Sequence, residues 1–128
     1  MPAGQYALAR LALRSGDFEL ALTNAEVASK SNADWVDAQL LYARTLLVTG
    51  KTDDSLAIAA DLAARRDEVE VQLQYAEILL SAGRPREAET RLNDILAKNP
   101  GLPEATRALA FLAMTEQRVE DAKRYFND

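Results

Sequence analysis

The residues of this chain that could carry chemistry are its carboxylates and arginines, because cysteine and histidine are both absent. That composition removes thiol nucleophiles, disulfides, imidazole bases and nearly all zinc chemistry together. Adjacent Asp53 and Asp54 invite a metal or acid–base reading. They fall in the first turn of an expected helix, where the helix dipole favours carboxylates, and no partner ligands accompany them. Arg65 and Arg66 carry the charge to hold a phosphate, yet cations are favoured at a helix C-terminus for the same electrostatic reason. Acid–base catalysis needs carboxylates in a pocket that shifts their pKa. The candidates Glu70, Glu77 and Glu104 come with no nucleophile and no cofactor motif. The chain is therefore expected to be non-catalytic, with no cofactor and no metal.

The elements that would position these side chains repeat along the chain. Turn glycines stand at Gly16, Gly50 and Gly83, 34 and 33 residues apart, and a fourth turn is expected at Gln117. Small residues keep step in two columns: Ala9, Ala43, Ala76 and Ala110, then Ala21, Ser55, Ala88 and Ala122. Bulkier side chains sit between them at helical spacing, first Leu8, Tyr42, Tyr75 and Leu109, then Ala25, Ala59, Leu92 and Phe126, with Ala28, Leu62 and Ile95 completing the second stripe. Two antiparallel helices approach closely only where both carry small residues, so each period predicts a helix pair. A glycine at the turn supplies the left-handed backbone that closes the first helix.

The boundaries follow from caps and breakers. Helix 1 is expected from Pro2 or Ala3 to Arg14, and helix 2 from an Asp17 cap to about Lys30. Helix 3 should begin at Trp35 behind an Asp34 cap and end near Thr49, and helix 4 should open on a Thr52 cap. Trp35 is read as packing at a repeat junction rather than as a ligand contact. Asp67 or Glu68 should start helix 5, and Pro85 sits in the first turn of helix 6. On helix 6, Glu87/Arg91 and Asp94/Lys98 are spaced i,i+4 as ion pairs on a solvated face. Asn99–Pro103 is the firmest break, and helix 7 is expected to end at about Thr115. The text then stops inside an eighth helix, so it reads as a fragment of a longer repeat protein. An uncapped end would expose Val119, Ala122 and Phe126 and invite self-association.

With its period of about 34 and its small-residue columns, the chain resembles the tetratricopeptide repeat family. The resemblance covers residues 2–33, 36–67, 69–100 and an incomplete 103–128 in a single array. It departs from the family where the usual early Trp is replaced by Gln5, Gln39, Gln72 and Thr106, and where the closing Pro survives only as Pro100, with Ala33 and Asp67 in the earlier copies. The resemblance implies an all-α, right-handed superhelical solenoid of about three and a half helix pairs. It also implies a concave groove lined by the first helix of each pair. Carried onto this sequence, the groove residues are Tyr6, Arg10 and Leu13; Leu40, Arg44 and Leu47; Leu73, Glu77 and Leu80; Arg107, Phe111 and Met114. Each triple is spaced i, i+4, i+7 and so shares a helix face.

Such a groove implies a protein-interaction scaffold that takes a peptide or helix. The alternative is a structural or regulatory arm of a larger enzyme or envelope-assembly complex, its groove filled by its own chain. Family members that clamp chaperone C-terminal carboxylates use Lys and Asn on successive helices plus an Arg. The matching positions here are Tyr6, Arg10, Leu41, Glu70 and Gln74 or, one repeat on, Leu40, Arg44, Gln74, Glu104 and Ala108, and neither set supplies the clamp. The text is also similar to bacterial envelope lipoproteins of the family that act as protease adaptors. That similarity implies a periplasmic, outer-membrane-tethered full-length protein delivering substrates to a protease; otherwise a cytoplasmic one is expected. The net charge of −5 argues against nucleic acid as a partner, and no apolar run reaches the length of a membrane span.

Overall fold

Glycine decides where each helix pair folds back. A computed structural model describes the backbone of residues 2–127 and the side chains of residues 2–120. Among the described residues the chain forms α1 (Pro2–Ser15), α2 (Phe18–Ser31), α3 (Val36–Val48), α4 (Thr52–Arg65), α5 (Val69–Ser81), α6 (Pro85–Lys98) and α7 (Pro103–Asn127). At the first turn Gly16 has φ +81°, its N–H reaches the carbonyl of Leu13, and Asp17 N–H reaches that of Ala12. The same two bonds recur at Gly50–Lys51 and Gly83–Arg84. This is the Schellman closure, and it satisfies carbonyls that the end of a helix leaves bare.

The residue after each glycine serves twice, ending one helix and capping the next. Asp17 fills that place well: its carboxylate accepts from Leu20 N–H at 3.3 Å. In the second repeat the place falls to Lys51, which has no acceptor, so the expected Thr52 cap is displaced into the helix as its first residue. Asp34 is also not the cap of α3. The side chain of Asn32 accepts from Asp34 N–H at 2.9 Å, and the tight turn this makes puts Trp35 at the cap position. Glu68 caps α5 by position alone, since its carboxylate pairs with Arg66 at 3.1 Å and is held below its usual pKa by that hydrogen bond.

The fourth turn does not form. α7 runs without interruption through Thr115 and Gln117 to Asn127, so there is neither a helix end near Thr115 nor an eighth helix among the described residues. Gln117 lacks the conformational freedom of glycine, and continuing the helix avoids the left-handed backbone altogether. Val119 is 47% exposed; the side chains of Ala122 and Phe126 lie outside the described residues.

Packing follows the small columns. Ala9 and Ala21, Ala43 and Ser55, and Ala76 and Ala88 are all fully buried. In the second pair the approach is so close that the Ser55 hydroxyl donates to the carbonyl of Ala43 at 2.6 Å. Leu62, Leu79 and Leu92 fill the spaces between. Leu8 departs from its column by standing exposed, whereas Tyr75 is buried and Tyr42 reaches back to α2. There the Tyr42 hydroxyl donates to Glu26 at 3.1 Å. Hydrogen bonds from Lys30 and Tyr42 hold the Glu26 carboxyl below its usual pKa, and burial, followed by Glu26 itself, pushes the Tyr42 hydroxyl up.

Two of the residues that depart from the family pattern, Gln39 and Gln72, join repeats. Gln39 on α3 donates its amide to Ser29 O, near the end of α2, at 2.6 Å. Gln72 on α5 donates to Ala63 O and Arg66 O, at the end of α4, both at 2.8 Å. Each glutamine thus supplies the donors that the C-terminal carbonyls of the preceding helix lack. Gln72→Ala leaves two half-buried acceptors unpaired and is expected to lower the unfolding free energy by about 1–3 kcal/mol. Urea denaturation followed by circular dichroism checks this, and an unchanged midpoint would refute the clamp.

Surface charges are largely consumed locally. Arg65 pairs with Asp61 and Arg66 with Glu68, which leaves no phosphate cradle in that pair. The expected Glu87/Arg91 pair is replaced: Glu87 takes Arg84 at 3.3 Å, and the Arg91 guanidinium lies 5.0 Å over the ring of Tyr75 on α5. The aromatic face holds the guanidinium against the neighbouring helix, out of reach of the carboxylate. Asp94 and Lys98, also expected to pair, instead border a cleft of about 220 Å³ with Asp67, Gln72 and Arg91. Among the described residues no helix is long and apolar enough to cross a membrane.

Candidate functional site

The first helices of successive repeats touch one another, α1 on α3 and α3 on α5, whereas the second helices stand further apart. The array therefore curves with α1, α3 and α5 on its inner side. Two adjoining clefts lie there. One, of about 180 Å³, is lined by Tyr6 and Arg10 of α1, by Asp37, Leu40, Leu41 and Arg44 of α3, and by Glu70 and Gln74 of α5. The other, of about 400 Å³, is lined by Arg44, Leu47, Val48, Glu77, Leu80 and Ser81, with Ile78 at its back.

Arg44 belongs to both clefts, and its guanidinium meets Glu77 across the helices at 3.0 Å. Both side chains are about half exposed, so the pair orients α3 against α5 without adding much stability. At the first cleft Tyr6 packs against Trp35 with ring centroids 5.0 Å apart. Arg10 lies 5.7 Å over the Tyr6 ring and, among the described residues, pairs with no carboxylate. Trp35 thus serves packing at the repeat junction, its ring against Tyr6 of α1. Gln74 donates to Glu70 at 2.8 Å while its buried carbonyl oxygen has no partner.

The twelve residues expected to line the groove do not form one strip. Leu40 and Leu73 are only 7% exposed and belong to the core, where successive repeats meet. Leu13 packs partly against Ala9, Ala25 and Leu41. Tyr6, Arg10, Arg44, Leu47, Glu77 and Leu80 do come together along the two clefts, with the nearly buried Leu40 in the lining of the smaller one. Arg107, Phe111 and Met114 line neither cleft: Arg107 donates to Pro103 O on its own helix at 3.4 Å, and the other two are 64% and 55% exposed. Val48 was missed, because the i, i+4, i+7 pattern passes over it; it is 52% exposed on the rim of the larger cleft. Among the described residues no group of three or more His, Cys, Asp or Glu is placed to hold a metal ion. What the clefts offer chemically is aliphatic surface flanked by mixed charge.

Comparison with solved structures shows the same fold elsewhere. The TPR domain of Arabidopsis OM64 superposes with a TM-score of 0.71 at 16% identity, covering 89% of this chain and 95% of that one. The Yersinia enterocolitica type III secretion translocator chaperone SycD does so with a TM-score of 0.71 at 22% identity, covering 93% and 94%. MamA from AMB-1 gives a TM-score of 0.65 at 20% identity, covering 99% and 75%. At such identities the likeness is one of fold. No curated protein matches the chain. The family described as Tetratricopeptide repeat matches residues 6–70 and residues 69–112. With three glycine-closed helix pairs, small columns buried in register and two family matches spanning nearly the whole array, this chain belongs to the tetratricopeptide repeat family.

Proposed function

We propose that this chain is a non-catalytic protein-interaction scaffold whose inner surface binds a peptide or helix of a partner. The observation that carries the reading is the larger cleft, where Leu47, Val48 and Leu80 leave aliphatic surface open beside the Arg44–Glu77 pair. A partner residue entering there would bury apolar surface, at about 25 cal/mol per Å², while the paired charges set its direction. The bound segment is short. The open residues span α3 and α5, with Tyr6 and Arg10 extending the surface to α1. Delivery of a substrate to a periplasmic protease is the narrower form of this role, and it rests on the sequence resemblance alone.

A photo-crosslinker at Leu47 in cells carrying the full-length protein tests the reading. The expected result is a recurring partner protein whose crosslink falls at least about tenfold in the Val48→Asp variant. That substitution places a charge on an exposed rim position and leaves the core intact. Crosslinks only to distant segments of the same protein would overturn the open groove in favour of a self-filled structural arm.

A further inference from the structure

The charges of the inner helices form a slope that the outer helices lack. α1 carries Arg10 and Arg14 and no carboxylate, α3 carries Asp37 and Arg44, and α5 carries Glu70 and Glu77 and no cation. Their formal charge therefore runs +2, 0 and −2 from the first repeat to the third. The outer helices α2, α4 and α6 carry −1, −2 and 0, with no trend. The slope faces the clefts. Arg10, Arg44 and Glu77 stand at one register on the three inner helices, 34 and 33 residues apart, in mid-helix where no helix end calls for a charge. Arg14, Asp37 and Glu70 stand in end turns, where the half-charge of the helix offsets part of theirs, and they extend the same slope.

Glu77 already holds Arg44. Arg10 rests over the Tyr6 ring and, among the described residues, makes no ion pair, so its charge is open to a partner. Glu70 lines the same cleft from α5, where it accepts from the neutral amide of Gln74 and keeps its charge unbalanced. We infer that this surface reads charge order: the bound segment of the partner is extended, with an acidic end over Arg10 of α1 and a basic end over Glu70 and Glu77 of α5. This rests on the reading of the inner surface as a binding groove and adds the partner's chemistry to it. Packed helices lie about 8–10 Å apart, and α3 stands between α1 and α5, so the two ends are separated by roughly 20 Å. An extended chain covers that distance in about six residues. A uniformly acidic segment would gain at Arg10 and lose at both glutamates, and a uniformly basic one the reverse. An exposed charge pair changes affinity by up to about fivefold, so exchanging a mismatched end for a matched one is worth about tenfold.

Four labelled peptides with capped ends test this. All share a Leu-Leu centre, and their two-residue flanks are Asp then Lys, Lys then Asp, Asp at both ends, or Lys at both ends. Binding to the whole chain is followed by fluorescence anisotropy at about 0.1 M salt, where charges are felt over roughly 10 Å. The expected result is that a mixed peptide binds about tenfold tighter than either uniform one. That advantage should vanish near about 1 M salt, where the range falls to roughly 3 Å. Arg10→Glu alters an exposed side chain and is expected to make the Lys-flanked peptide the tightest of the four. Uniform peptides that match the mixed ones would overturn the charge order and leave the groove standing, as would an unchanged ranking in Arg10→Glu. No binding by any of the four at about 1 mM would overturn it as well. The crosslink from Leu47 then tells whether the groove itself falls with it.

Discussion

Leu79→Ala is expected to lower the unfolding free energy by about 2–5 kcal/mol, the largest effect of any single truncation proposed for this fold. Leu79 is 1% exposed and sits among Leu62, Tyr75, Ile78 and Ala88, at the meeting of the second and third repeats. Truncation removes its transfer free energy and also leaves a cavity that three helices would have to move together to fill. Phe111→Ala is the matched control. That ring is larger but 64% exposed, so its loss should stay within about 0.5 kcal/mol. Paired urea titrations by circular dichroism would separate the two. A comparable loss in both variants would mean that the core is not where the buried leucines place it.

The second large effect comes from adding atoms. Ala43→Leu is expected to cost about 1–3 kcal/mol, although leucine is the more hydrophobic residue and a good helix former. The Ala43 carbonyl lies 2.6 Å from the Ser55 hydroxyl, so α3 and α4 have no room for a branched side chain between them. Forcing them apart also shifts Arg44 and Leu47, the next turn of α3, and should weaken partner binding at the larger cleft in the same variant. Ser55→Ala keeps the spacing and loses one hydrogen bond, about 1 kcal/mol. If the Ala43→Leu protein melts with the parent chain, the small columns are not the contact that sets helix spacing.

What the sequence made legible was whatever depends on residue type at a fixed interval. Ala9, Ser55 and Ala88 announce close approach, and Gly16, Gly50 and Gly83 announce left-handed turns, because few other residues fit those demands. Asp17 was readable as a cap for the same reason. The fourth turn was not readable by extrapolation: the period pointed to Gln117, but the period carries no conformational energy and glycine does. The groove was half readable. Spacing i, i+4, i+7 says that Leu40, Arg44 and Leu47 share a face, but how far a face is covered depends on where the neighbouring repeat sits. Leu40 and Leu73 point into that neighbour, while Leu47 and Leu80 stay at its edge. The glutamine clamps were visible only as departures from a pattern, since an amide shows its role once the carbonyls it reaches are in place.

Those clamps divide the array by how tightly neighbours are coupled. At the first two junctions an amide on the incoming helix holds the end of the outgoing one, so neither repeat can open without breaking bonds that belong to both. At the third junction Thr106 occupies the clamp position and donates back to Leu102 on its own side, while Asn99 serves the end of α6 from within. In a linear array, stability is a sum of repeat terms and nearest-neighbour terms. Here two of the neighbour terms include shared side-chain-to-carbonyl hydrogen bonds, and the last rests on apolar contact and the exposed Arg86–Glu116 ion pair. The first three helix pairs are thereby tied into one cooperative block, with α7 as an appended unit that can lift away and leave the clefts intact.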